Sequence, residues 1–66
     1  MERETQLSLI NKEVWFKTGK LTNRRGVVKA WLYDYYYKIE DSENKDITGK
    51  PIIHIVYPEH IVEVIN

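Results

Sequence analysis

KAWLYDYYYKIE (residues 29–40) contains five of the chain's eight aromatic side chains, and its pattern decides the fold class. Aromatic and β-branched residues favour strands, in which neighbouring side chains point to opposite faces. Asp34 is the expected turn centre because aspartate tolerates turn conformations. The stretch therefore predicts two strands that meet near Asp34, each with one inward and one outward set of side chains. A shift of one residue would exchange the two faces.

The same two-residue period extends on both sides of this stretch. EVWFKT (residues 13–18) and IIHIVY (residues 52–57) alternate as strands, and IVEVI (residues 61–65) reads as a short closing strand. Pro58 favours one tight helical turn in PEHI, since proline is preorganised for the first helical position. The sequence therefore predicts an all-β fold.

Polar segments separate these strands. TGKLTNRRG (residues 18–26) and DSENKDITGKP (residues 41–51) are rich in turn-forming residues and predict loops. Gly49 and Pro51 are interpreted as turn residues, whereas Gly26 serves either a bulge or the close approach of a ligand.

The alternation also predicts a core. His54 marks the outer side of its strand, which places Ile53, Ile55 and Tyr57 inward. Each large core member contributes roughly 1.5–3 kcal/mol on burial. The expected core consists of Val14, Phe16, Val28, Ala30, Leu32, Tyr37, Ile39, Ile53, Ile55, Ile61 and Val64.

Size and composition limit the possible function. The 66 residues suffice for one small domain, and the absence of cysteine excludes disulfides and thiolate metal clusters. No signal peptide or membrane span is expected, so a soluble cytoplasmic protein is predicted. The net charge is zero, but residues 12–29 are basic and residues 34–46 are acidic. These segments either neutralise each other across the fold or leave a functional basic patch.

Four pieces of sequence together resemble the SH3-like barrel superfamily: VWF, RRGVVKAW opened by Gly26, YYYKI, and VYPEHIVEV. GVV after a basic segment also resembles the KOW modules of ribosomal and transcription proteins. The resemblance implies a small, five-stranded, strongly bent antiparallel barrel over residues 12–66, with one 3-10 turn before the last strand. Residues 1–11 would form an edge strand, cap the barrel end or remain partly flexible.

AWLYDY (residues 30–35) resembles the ALYDY signature of signalling SH3 domains. In that family the signature is followed by a tryptophan pair that grips polyproline, whereas no tryptophan follows Trp31 here. Polyproline binding is therefore not expected.

An outward aromatic and basic face is the predicted binding site. Aromatic rings among cations can stack unpaired bases while lysines hold phosphates. The same rings could instead pack across strands, or anchor a protein partner or homodimer. The expected function is a non-enzymatic accessory protein of bacterial or phage type that binds nucleic acid, with protein interaction as the alternative. The predicted binding residues are Trp15, Lys17, Lys20, Arg24, Arg25, Lys29, Trp31, Tyr33, Tyr36 and Lys38.

Catalysis and metal binding have little sequence support. His54 and His60 match no zinc spacing, and Gly19 and Gly26 lie too far apart to form a phosphate loop. No catalytic residue, metal ligand or cofactor is predicted.

Overall fold

The computed structural model describes residues 7–18 and 22–65. The five strands are antiparallel, and a 3-10 turn at Pro58–His60 precedes the last of them. This confirms the predicted all-β class with five strands. The strands are β1 (Glu13–Thr18), β2 (Thr22–Leu32), β3 (Tyr36–Lys45), β4 (Pro51–Val56) and β5 (Ile61–Val64).

The strands form one strongly bent sheet in the order β4-β3-β2-β1-β5. Register shifts at Trp15/Phe16, Val28/Ala30 and Glu40/Lys45 interrupt three of the four ladders, and such irregularities bend and twist strands. The expected barrel, however, is not closed. Within residues 7–18 and 22–65, no ladder joins the edge strands β4 and β5.

Both predicted loops are partly strand. Residues 22–26 belong to β2, because each pairs with a residue of β1, as in Phe16 opposite Arg24. Residues 41–45 likewise extend β3. The polar composition of these segments was misleading, since pairing with a neighbouring strand overrides local propensity.

Six of the described side chains form the buried core, and five of these six were predicted. The inward placement of Ile53, Ile55 and Val64 is wrong, because these side chains remain 45%, 57% and 47% exposed. Ile61 packs against the core from its edge. The buried core residues are Val14, Phe16, Val28, Tyr37, Ile39 and Val56.

A bulge at Lys29 reverses the faces of β2. Val28 lies opposite Ile39, but Ala30 lies opposite Lys38, so β2 carries one extra residue. As a result Trp31 returns to the core side, where its ring centre lies 4.6 Å from that of Tyr37. The predicted outward position of Trp31 is therefore wrong.

The segment before β1 forms turns that cover the bulge. The Asn11 amide donates to the Val28 carbonyl at 2.7 Å, and the Val28 amide donates to the Lys12 carbonyl at 2.9 Å. Leu9 and Ile10 pack against the core. The described part of residues 1–11 thus caps the core, and residues 1–6 lie outside the described chain.

Asp34 lies at the centre of the β2–β3 turn, as predicted. Tyr33 and Asp34 both have positive φ, 56° and 53°, and the Tyr35 amide donates to the Leu32 carbonyl at 2.9 Å. This is the geometry of a two-residue hairpin whose twist matches that of its strands. Trp31 Nε1 donates to Asp34 Oδ1 at 3.1 Å and supports the turn.

Gly26 permits close strand packing, rather than the approach of a ligand. A Cβ at this position would lie 2.6 Å from Ile39 Cγ2 and 2.7 Å from the Glu40 carbonyl oxygen. Gly49, with φ 85°, confirms the turn predicted before β4, and its amide donates to the Asp46 carbonyl.

Candidate functional site

Four tyrosines gather at the hairpin end of the sheet, and we call them the tyrosine cluster: Tyr33, Tyr35, Tyr36 and Tyr57. Their ring centres lie 5.9 Å apart for Tyr33–Tyr36, 6.1 Å for Tyr35–Tyr36 and 5.2 Å for Tyr35–Tyr57. Tyr36 meets Tyr57 edge-on at 6.5 Å. These separations are those at which aromatic rings attract one another.

Local structure explains why these rings meet. The hairpin turn carries Tyr33 and Tyr35 outward, and the pairing of Tyr37 with Val56 brings Tyr36 beside Tyr57. Tyr33, Tyr35 and Tyr57 stay 85%, 61% and 41% exposed. The adjacent Tyr35 is the main cause that raises the pKa of the Tyr57 hydroxyl. The cluster thus presents several ring faces and hydroxyls to solvent.

The two predicted tryptophans do not join this surface. The Arg25 guanidinium lies 6.0 Å from the centre of the Trp15 ring, and Arg25 Nε lies 3.4 Å from Glu13 Oε2. Trp31 packs on Tyr37 and bonds Asp34. Both indoles therefore make internal contacts of the kind expected for cross-strand packing.

The predicted cations are also dispersed. Lys17, Lys29 and Lys38 are exposed on β1, β2 and β3. Arg24 faces inward, where its Nη1 lies 3.8 Å from Asp41 Oδ2. Lys20 lies outside the described residues. The structure therefore divides the predicted binding set among several places.

A buried carboxylate, Asp41, organises polar contacts on the inner face; we call Asp41, Arg24, Asn44 and His54 the Asp41 cluster. His54 Nε2 lies 2.9 Å from Asp41 Oδ2. The backbone amides of Glu43 and Asn44 both donate to Asp41 Oδ1 at 2.8 Å, and Asn44 Nδ2 lies 3.2 Å from each carboxylate oxygen. The predicted solvated loop position of Asp41 is wrong, because its side chain is fully buried.

These contacts set the ionisation of Asp41. Burial opposes ionisation, but the hydrogen bonds from the Glu43 amide, His54 and Asn44 outweigh it and hold the pKa of Asp41 at about 2. The carboxylate therefore remains charged at neutral pH. It orients His54, whose ring also lies 5.1 Å from that of Phe16.

A groove of about 350 Å³ adjoins both clusters. Its walls come from β1, β4 and the 3-10 turn, and strands β1 and β4 are not neighbours in the sheet. The groove therefore lies where the bent sheet stays open. It is lined by Lys17, Thr18, His54, Ile55, Val56, Tyr57 and His60.

Sequence reasoning missed five residues of these sites. Tyr57 was expected to point inward and His54 outward, because the parity of β4 was misjudged by one residue. Tyr35 was expected on the inner side of its strand, but it lies in the turn before β3 begins. No sequence signal identified Asp41 among its neighbouring acids. The spacing of His60 from Tyr57 offered a signal, because three residues span one 3-10 turn and bring the two rings within 5.9 Å.

No family model, curated protein or solved structure matches this chain. The described residues include no group of three His, Asp or Glu side chains arranged to hold a metal ion. Nor do they include a helix long and apolar enough to cross a membrane.

Proposed function

We propose that this chain is a non-enzymatic binding module of the SH3-like type that binds single-stranded nucleic acid through its tyrosine cluster. The observation that carries the proposal is the tyrosine cluster, in which Tyr33, Tyr35 and Tyr57 are exposed and neighbouring ring centres lie 5.2–6.5 Å apart. Unpaired bases stack on such rings with little sequence preference, at about 1–3 kcal/mol per base. The bent five-stranded sheet with a 3-10 turn before its last strand supports the SH3-like part.

Charges around the tyrosine cluster can position the phosphates. Lys38 follows Tyr36 on the outer side of β3, and Lys17 and His60 line the groove that Tyr57 shares. Glu59 and Asp34 lie at the same end and oppose an anionic strand. Removal of the Glu59 charge should therefore strengthen binding.

Fluorescence anisotropy with a labelled oligo-dT strand tests this proposal. The double variant Y35A/Y57A should weaken binding about fivefold to a hundredfold, as loss of base stacking predicts. The control variant I47A changes a fully exposed apolar residue outside the cluster and should bind normally. The logarithm of affinity should fall with the logarithm of salt concentration, with a slope of about −0.7 per phosphate contact.

Lys38→Glu is the charge reversal best suited to this test. Lys38 is exposed, whereas reversal at Arg24 would place a second acid beside Asp41 and disturb the fold. Weaker binding by K38E and stronger binding by E59Q are expected. Equal affinities for the wild type, Y35A/Y57A and K38E would contradict the proposal.

A protein partner or homodimer is the second candidate, and strand β4 favours it. Ile53 and Ile55 are exposed on this edge strand, which ends beside Tyr57. An unpaired edge with exposed apolar side chains can accept a further strand. Sedimentation should then show a dimer of the wild type that persists in high salt. The I53K variant should sediment as a monomer.

A further inference from the structure

The groove has a ring-lined side and a cationic side. Tyr57 belongs both to the tyrosine cluster and to the groove wall, so a base on the cluster would lie next to the groove. A volume of about 350 Å³ is within the range of small-ligand sites. The groove is therefore large enough for a phosphate group and lies beside a ring of the tyrosine cluster.

Lys17 and Thr18 supply donors from β1. Lys17 is exposed, and no described carboxylate forms an ion pair with it. Thr18 Oγ1 accepts a hydrogen bond from Arg24 Nε at 3.2 Å. Because that oxygen acts as acceptor, the hydroxyl proton remains available to a ligand.

His54 and His60 face the groove from β4 and the 3-10 turn. His54 contacts Asp41 of β3, whose carboxylate also faces Arg24 of β2, and Lys17 of β1 lines the same groove. Asp41, the carboxylate of this set, already accepts bonds at both oxygens. Among the described residues that line the groove there is no carboxylate, and Lys17, Thr18 and His60 offer hydrogen-bond donors, which suits an anion.

We propose that this groove binds a phosphate group through Lys17, Thr18 and His60, with His54 forming part of its wall. Asp41 holds the His54 ring in that wall and stays outside the ligand contacts. The phosphate site itself does not depend on the proposed function. Only the source of the phosphate, a bound nucleic-acid strand, rests on it. That source is either the terminal phosphate of a strand or one of its internal phosphates.

Amide NMR titrations of the labelled protein test this site. The probes are inorganic phosphate, an oligo-dT strand with a 5′-phosphate, and the same strand without it. Inorganic phosphate and the phosphorylated strand should shift the amides of Thr18, His54 and His60. K17Q and H60Q should each weaken these titrations at least about fivefold, whereas K45Q, which changes an exposed lysine outside the groove, should have no effect.

The two strands separate the two sources of phosphate. If K17Q weakens the binding of only the phosphorylated strand, the groove binds a terminal phosphate. If K17Q weakens the binding of both strands equally, the groove binds an internal phosphate. If none of the phosphate probes shifts the amide signals of the groove residues, the proposal is overturned. In that case shifts at Tyr33 and Tyr35 would still support nucleic-acid binding. Conversely, inorganic phosphate could shift the groove amides while no strand shifts the amides of the tyrosine cluster. That result would support the phosphate site and refute the proposed function.

Discussion

The Asp41 cluster and the tyrosine cluster use polar groups in opposite ways. Asp41 is buried and has its hydrogen bonds satisfied within the chain, whereas Tyr33 and Tyr35 mainly face solvent. A buried charge that loses its partner is costly, but an exposed ring contributes little to folding. We therefore expect the Asp41 cluster to stabilise the fold and the tyrosine cluster to contact the ligand.

Removal of the Asp41 carboxylate should cause the largest effect. D41A leaves His54 and two backbone amides without their acceptor, and we expect unfolding free energy to fall by about 3–5 kcal/mol. Urea unfolding followed by tryptophan fluorescence measures this loss. D46A is the matched control, because Asp46 also bonds nearby amides but is exposed, and its loss should be about 1 kcal/mol. Equal losses for the two variants would remove the contrast between the two regions.

Gly26 lies opposite Asp41 in the ladder between β2 and β3 and should be nearly as sensitive. The G26A methyl group would collide with Ile39 and with the Glu40 carbonyl, which costs about 2–3 kcal/mol as an overpacked core. G49A is the control, since its Cβ meets no neighbour and only its positive φ is disfavoured. That strain costs roughly 1 kcal/mol. The same urea measurement should therefore rank G26A below G49A in stability.

The contribution of Asp41 should also depend on pH. Its pKa is about 2 in the folded chain against 3.8 for an ordinary aspartate, so the folded state favours the charged form. The resulting stability, roughly 2 kcal/mol, is complete above about pH 4 and is lost as the pH falls towards 2. Urea unfolding of the wild type and D41N across this range measures it. A wild-type profile parallel to that of D41N would show that Asp41 carries no such contribution.

Tyr33 should show the smallest effect on stability, with the opposite sign. A tyrosine at φ 56° is strained, and asparagine tolerates that conformation better. Y33N should therefore stabilise the fold by about 0.5–1 kcal/mol while weakening oligo-dT binding. Thermal unfolding and anisotropy on the same sample measure both effects. If Y33N instead lowers stability and leaves oligo-dT binding unchanged, Tyr33 contributes to folding and not to ligand contact.

The tyrosine cluster was only partly predictable. Tyr33 and Tyr36 were placed outward from local alternation alone, since they lie beside the turn at Asp34. The inward placement of Tyr57 is wrong, because its strand contains apolar residues on both faces and His54, the residue that marked the outer side, faces the buried Asp41. His54 takes an inner position because Asp41, thirteen residues away in sequence, supplies a partner there.

The sequence by itself determined the central part of each strand and the position of the turn at Asp34. A strict two-residue period identified Val14, Phe16 and Ile39 as core, and Asp34 and Pro58 fixed local turns through their backbone preferences. Only the tertiary structure decided which face the later strands present. One extra residue at Lys29 returns Trp31 to the core, and burial of Asp41 depends on donors from other parts of the chain. Periodicity records alternation, but a bulge or a distant hydrogen-bond partner determines which side faces inward.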